Sequence, residues 1–494
     1  MRLVATDSQT SHGAGGEADS ASEAPINLGV WIMIVFQAVA IPIYLMCMDS
    51  VNRHYTNLAN NYIPIGYFLV CAGIVHLRLA HSHLLFWTPI TWFFVTCGMM
   101  FGWAPLIYFY GNPYSIRFLD SYYVIDESML LRTNLLNAVG TMMVCLAHAL
   151  AGYSRWRPRA PRVEMQDTVG FSKRMFWRLL WIALPLKWLV FVPMYLEMFD
   201  FAVPGVILYI ANLLGACIAL GFYIAFRGHT RYIWIAVLLM LGDAVIATIT
   251  FSKASFILPV LQATMGIYLA RRSRSVLIVG LLLAICGYMY IKPLVGLGRA
   301  EFSHKNKSTV GRVELVERYI SGEIDQSETE SQADSQHWWT RHSFSNIEGF
   351  MIHNYENGRP GETIRDFWVL FIPRIFWPDK PYISLVGSNL NNLIVGNDQT
   401  SIGGTVFGEA YWNGGWPMVI GVSIFIGIVL FVMGQLSTYY LEVMDLRYLP
   451  IAIMGIFYGL DFEDWFMLAF VGTLPVFLAI WYFIKFLFPV KAAR

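Results

Sequence analysis

Long apolar runs recur along the chain, separated by short polar, glycine- or proline-containing breaks. Twelve such segments can be delimited at roughly 27–48, 62–80, 84–103, 134–153, 175–196, 203–226, 232–252, 254–270, 275–292, 416–437, 447–460 and 466–487. A bilayer core takes about 20 helical residues, and only helices or closed barrels satisfy their backbone polar groups in lipid. The pattern therefore predicts an all-α polytopic membrane protein with about 12 transmembrane helices. The run 447–460 is short for a span, which predicts a tilted or re-entrant helix or one that extends further. The junction at 252–254 predicts a helical hairpin with almost no loop.

Residues 1–25 are rich in Ser, Gly and Ala and contain no apolar run, so they read as a disordered tail and not as a signal peptide. The organisation that follows is a membrane block over 26–292 with nine helices, a large loop over 293–416 and a second block over 417–494 with three. Apolar residues make up 56% of the 494 residues and charged ones 14%, against about 25% charged in soluble domains. This balance excludes a disordered chain, a disulfide scaffold, a collagen-like chain and a basic nucleic-acid binder. The six cysteines (Cys47, Cys71, Cys97, Cys145, Cys217 and Cys286) all fall in apolar runs and form no CxxC pair, so neither a disulfide framework nor a zinc site is expected.

The net charge of +1 says little, whereas its distribution sets a topology. Arg155, Arg157, Arg159, Arg162, Lys173 and Arg174 share a face with Arg227 and Arg231, with Arg271, Arg272 and Arg274, and with Lys491 and Arg494, if there are twelve spans. The positive-inside rule makes that face cytoplasmic, and both termini with it. The loop at 293–416 is then extracytoplasmic, and it carries 10 Lys+Arg and 15 Asp+Glu. Its stretch 323–334 holds five acids and reads as a solvated tip. Residues 341–355 place Phe344, Ile347, Met351 and Tyr355 at helical spacing, which predicts an amphipathic helix on the membrane surface or on the bundle. Pro373, Pro378 and Pro381 bracket Arg374, Trp377, Asp379 and Lys380 on a stiff turn. Five glycines then surround Glu409, Tyr411 and Trp412.

The run IPRIFWPDKP, followed at a distance by GTVFGEAYWNGGWP, resembles the outer-loop signature of Wzy-type bacterial polysaccharide polymerases, the O-antigen or oligosaccharide repeat-unit polymerases related to O-antigen ligases. The run TFSKASFILP is similar to a small-residue turn with a basic residue that the family often has between two spans, with Lys253 where an Arg is more usual. The resemblance implies a GT-C-like helical fold in a bacterial inner membrane. It implies a transferase that moves a growing glycan from its undecaprenyl diphosphate carrier onto another lipid-linked repeat unit, with no cofactor and no nucleotide sugar. The partners it implies are that lipid-linked substrate, membrane lipids, a chain-length regulator and a flippase, and no nucleic acid.

For this reaction, cations must meet the charge of the departing diphosphate, and a base must take the acceptor proton. Arg374 and Arg341 are the catalytic candidates for the first role, with Arg299, Lys380 and Lys253 as substrate-binding companions; each of these is also an ordinary interfacial cation. Glu409 is the first candidate base, ahead of Asp398, Asp379, Glu348 and His342. Trp377, Tyr411 and Trp412 are candidates for stacking on sugars, or plain members of an aromatic belt. Within the spans, Lys187, Asp243 and His148 are costly in lipid, and Lys187 with Asp243 reads either as a packing ion pair or as part of a transport path. A ligase that moves a finished glycan and a transporter or flippase of a lipid-linked substrate are the alternatives. An enzyme should gather Arg299, Arg341, Arg374 and Glu409 in one outward cavity; a transporter should gather its charges around Lys187 and Asp243.

Overall fold

The computed structural model describes residues 18–49, 52–154, 168–195, 205–301, 309–323, 337–365, 367–372, 377, 385–396 and 401–488, and these are helical or loop throughout, with no strand among them. Nine helices among the described residues are long and apolar enough to cross a membrane: Leu28–Met48, Arg53–His81, Pro89–Tyr110, Glu127–Tyr153, Thr168–Met194, Arg231–Ile249, Arg274–Val295, Val406–Glu442 and Met467–Leu487. The other three sequence segments are also helical. One is divided into Gly205–Asn212 and Leu214–Phe226, the second is Lys253–Arg271 and the third is Leu449–Leu460, only 12 residues long. Lys253–Arg271 carries Lys, Ser, Thr and Gln among its apolar residues, which lowers its hydropathy.

Helix starts follow local capping chemistry. Asp126 accepts from the Met129 amide at 2.7 Å and so opens α1 (Glu127–Tyr153). Thr405 accepts from the Gly408 amide at 3.0 Å and opens α2 (Val406–Glu442). These two helices form the centre of the bundle. Gly427 lets them meet, because a Cβ there would lie 2.4 Å from the Val144 carbonyl oxygen, the close approach that small residues permit between membrane helices.

α2 is not continuous. It breaks at Gly414 and Gly415, where Gly415 has φ 60° and ψ −152°, a region open essentially to glycine alone. The break lets the loop-side turn holding Glu409, Tyr411 and Asn413 leave the membrane-embedded axis. A Cβ on Gly415 would also lie 2.8 Å from the Tyr355 ring. Gly415→Ala is accordingly expected to destabilise the protein by about 1–3 kcal/mol, read as a lower midpoint in thermal unfolding in detergent.

The two ends of the bundle differ. At one end, the last turns of Pro89–Tyr110 and the segment after it meet the large loop: Tyr108 donates to Asn346, the Asn346 amide donates to the Tyr123 carbonyl at 2.5 Å, and the Trp339 indole donates to the Trp103 carbonyl at 3.1 Å. The Trp465 indole reaches the Ile402 carbonyl there at 3.1 Å. At the other end, arginines tie helix ends together: Arg272 donates to the Leu441 carbonyl, Arg178 to the Leu487 carbonyl and Arg447 to the Phe488 carbonyl. These three arginines thus gather at the end of the bundle away from the large loop.

The predicted amphipathic helix is α3 (Ser345–Glu356), and it is packed into the bundle beside α1 and α2 with Ile347, Met351 and Ile352 buried. It starts four residues after Arg341, which therefore precedes the helix instead of belonging to it. Helical structure also extends past the ninth sequence segment, from Arg274 to Glu301, so Arg299 lies in a last helical turn.

Candidate functional site

Glu409 is fully buried, and both its carboxylate oxygens are engaged. Thr363 Oγ1 donates to one at 2.5 Å and the Phe466 backbone amide to the other at 2.5 Å. Asn413 reinforces the arrangement by donating to Thr363 Oγ1 at 2.8 Å and accepting from the Ile364 amide at 3.0 Å. Glu409 therefore staples the large loop and the start of the last helix onto α2. A general base must reach its substrate, and this carboxylate faces protein donors. Glu348 is bound likewise, accepting from Thr405 Oγ1 at 2.7 Å and Asn137 Nδ2 at 2.9 Å, and burial pushes its carboxyl up to about 7.

Beside this stapled region lies an open cleft of about 410 Å³, whose lining includes Arg341, Ser401, Asp461, Glu463 and Asp464. The three acids occupy the short turn between Leu449–Leu460 and the last helix. Burial, and then the neighbouring charges of Asp464 and Glu463, push the Asp461 carboxyl up to about 7. Burial and Glu463 raise Asp464 too. Arg341 is exposed, and His342 beside it is held below the usual histidine range by burial and by the Arg341 charge. A half-buried carboxylate with a pKa near neutrality, in a cleft that also holds a guanidinium, is what proton removal next to a developing anion requires.

Asp461 also lines a second cavity, of about 340 Å³, that runs between the helices. Its other polar walls include Lys187, Asn212, Asp243 and Gln262, among apolar residues such as Phe191, Leu258, Phe457 and Tyr458. Lys187 Nζ lies 3.7 Å from Asp243 Oδ1, 3.4 Å from Asn212 Oδ1 and 4.2 Å from the centre of the Phe191 ring. The ion pair that was one of the two readings from sequence is thus formed, and it borders a space instead of closing one. Two π-helical turns, Lys187–Phe191 and Met467–Val471, contribute to the wall; such turns displace side chains from the regular helical register and concentrate at functional sites. Removing one partner of a buried pair costs about 3–5 kcal/mol. Lys187→Met is expected at the lower end of that range because the pair is loose, and Lys187→Met with Asp243→Leu is expected to recover part of the loss, both read by thermal unfolding.

The remaining sequence candidates divide into three groups. Tyr411 is buried, and its hydroxyl donates to Glu356 at 3.4 Å, while Glu356 pairs with Arg132 at 2.6 Å. Tyr411 is therefore a packing residue and offers no open stacking face. Trp412 is similarly tied, through its indole, to the Arg359 carbonyl at 3.1 Å. Trp377 stacks on Trp368 with centroids 5.9 Å apart, and Trp368 is exposed, so this pair remains available for a sugar face. Lys253 opens Lys253–Arg271 and Arg299 lies near the end of Arg274–Glu301, two helices packed against each other. Lys253 follows Thr250 and precedes Ser255, both of which line the second cavity. Arg374, Lys380, Asp379 and Asp398 lie outside the described residues. His148 is buried in α1 with its ring edge-on to Phe431, and it lines neither cavity.

Of the four residues expected to share an outward cavity, Arg341 lines the cleft and Glu409 is buried, while Arg374 and the Arg299 side chain lie outside the described residues; the residue common to both cavities is Asp461. The signal for it was present in the run GLDFEDWF, where three carboxylates interrupt two apolar segments, a placement that defaults to function in a membrane protein.

The fold and the site together define a multi-pass membrane protein, all-helical among the described residues, with an open cleft and an interior cavity that share Asp461. No family model, curated protein or solved structure matches the chain.

Proposed function

We propose that the protein is a membrane glycosyltransferase that polymerises polyprenyl-diphosphate-linked oligosaccharide repeat units at the periplasmic face of a bacterial inner membrane. In this reading the twelve helical segments all cross the bilayer in a GT-C-like arrangement, with both termini cytoplasmic. The observation that carries it is Asp461, a carboxylate near neutrality shared by a cleft that holds Arg341 and by a cavity within the bundle. Two lipid-linked substrates must meet at such a point. The acceptor hydroxyl attacks C1 of the donor glycan and its proton passes to Asp461. The bond from C1 to the phosphate oxygen breaks, and the polyprenyl diphosphate leaves with the electron pair. Arg341 stabilises the charge that grows on the diphosphate, and the Trp368–Trp377 pair offers a face to the glycan.

The test is purified protein in lipid nanodiscs with a lipid-linked repeat unit and neither nucleotide sugar nor added metal. A product ladder is expected, and Arg341→Ala is expected to weaken it. The Lys187–Asp243 pair beside an interior cavity favours a second reading, a transporter of a lipid-linked substrate. In proteoliposomes that reading predicts substrate crossing the bilayer with no new glycosidic bond.

A further inference from the structure

We infer that the cavity lined by Lys187, Asn212, Asp243 and Gln262 is a binding site for a neutral sugar, the acceptor end of a lipid-linked glycan, and that the diphosphate binds elsewhere. The inference deepens the transferase reading and rests on it. Its volume of about 340 Å³ falls within the roughly 300–1,000 Å³ of small-molecule sites, and its lining is mainly apolar with a few convergent polar groups, as in such sites.

The charge inventory selects the ligand. One amine, Lys187, faces the space together with two carboxylates, Asp243 and Asp461. A diphosphate would bring its charges against both acids and find one cation, already paired with Asp243 at 3.7 Å. A polyol meets no such conflict. Its hydroxyls donate to carboxylate and amide oxygens and accept from ammonium and amide N–H groups, and the walls supply all of these. Gln262 Oε1 is buried without a hydrogen-bond partner, and Asp243 Oδ1 likewise has only the distant ammonium. Buried acceptors of this kind call for a donor, which a sugar hydroxyl provides. Phe191, Phe457 and Tyr458 give the apolar surfaces that the C–H faces of a sugar ring need. Asp461 stands at the wall shared with the Arg341 cleft, so a sugar seated here presents a hydroxyl towards the base, with the exposed Arg341 guanidinium on the other side of it.

The experiment uses the full chain in nanodiscs and saturation-transfer NMR. The probes are the lipid-free oligosaccharide released by mild acid from the cell's own lipid-linked repeat unit, and inorganic pyrophosphate. The wild type is expected to bind the oligosaccharide without displacement by pyrophosphate. Gln262→Ala and Asn212→Ala are each expected to weaken that binding about three- to tenfold, the loss of roughly one net hydrogen bond, and to raise the acceptor KM in the ladder assay with kcat held. Thermal unfolding confirms that each variant is folded. Oligosaccharide binding unchanged in both folded variants would overturn the inference, as would displacement of the oligosaccharide by pyrophosphate. A wild-type ladder alongside either result leaves the transferase reading standing, whereas no ladder from a cognate substrate removes that reading itself.

Discussion

Asp461→Asn is expected to lower the polymerisation rate by about 10²–10⁴-fold, the contribution of a general base, with little change in KM and no loss of folded protein. Asparagine keeps the size and polarity of the side chain and removes only the proton-accepting charge. The pH dependence follows from the same carboxyl. Raised to about 7, it is protonated and inactive below that value, so the wild-type rate is expected to climb through about pH 7 to a plateau. Burial sets this value first, and then the charges of Asp464 and Glu463 on its own turn; Arg341 lines the same cleft, and Lys187 and Asp243 line the interior cavity with it. Glu463→Gln removes one repelling charge and is expected to move the midpoint to lower pH. The stability sign runs the other way. A folded-state pKa raised above the ordinary 3.8 contributes stability that is full below 3.8 and is lost as pH rises through about 7. Asp461→Asn is therefore expected to unfold at the same or a higher temperature than wild type at pH 8, which separates a lost base from a damaged fold.

The second large effect concerns Glu409. Glu409→Ala strands the Thr363 hydroxyl and the Phe466 amide. Each buried donor left unmade costs about 1–3 kcal/mol, so a total of about 2–6 kcal/mol is expected, with loss of activity because the turn carrying Asp461–Asp464 is anchored through Phe466. Glu409→Gln is expected to behave differently. Its oxygen can still accept from the Phe466 amide, and its amide can donate to Thr363 Oγ1. Folded protein with activity within about tenfold of wild type is the expected outcome, because a structural carboxylate tolerates an isostere and a general base does not. Parallel measurement of unfolding and of ladder formation for Glu409→Ala and Glu409→Gln checks this contrast.

The helical segments were legible from apolar run length because lipid demands long apolar helices with satisfied backbones. The Lys187–Asp243 pair was legible because isolated charges in spans need partners. The fate of Glu409 was not. Its burial depends on Thr363 and on the Phe466 amide, 46 and 57 residues away in sequence, and no local pattern encodes that meeting. Tyr411 was obscured in the same way, since its partner Glu356 comes from α3. Asp461 was less legible although its signal is local, because its three acids sit in a break of only a few residues between two apolar segments, which reads as a plain tight connection. Short breaks at the loop end of a bundle carry functional groups as readily as long loops do, since they are held rigidly by the helices on either side.

The most direct measurement quantifies polyprenyl diphosphate released from a labelled lipid-linked repeat unit by the purified protein, alongside the glycosidic bonds formed. One equivalent of diphosphate lipid is expected for each bond, with both signals lost together in Asp461→Asn. Transfer of the intact lipid-linked substrate across the membrane, with no diphosphate released and no dependence on Asp461, would contradict it.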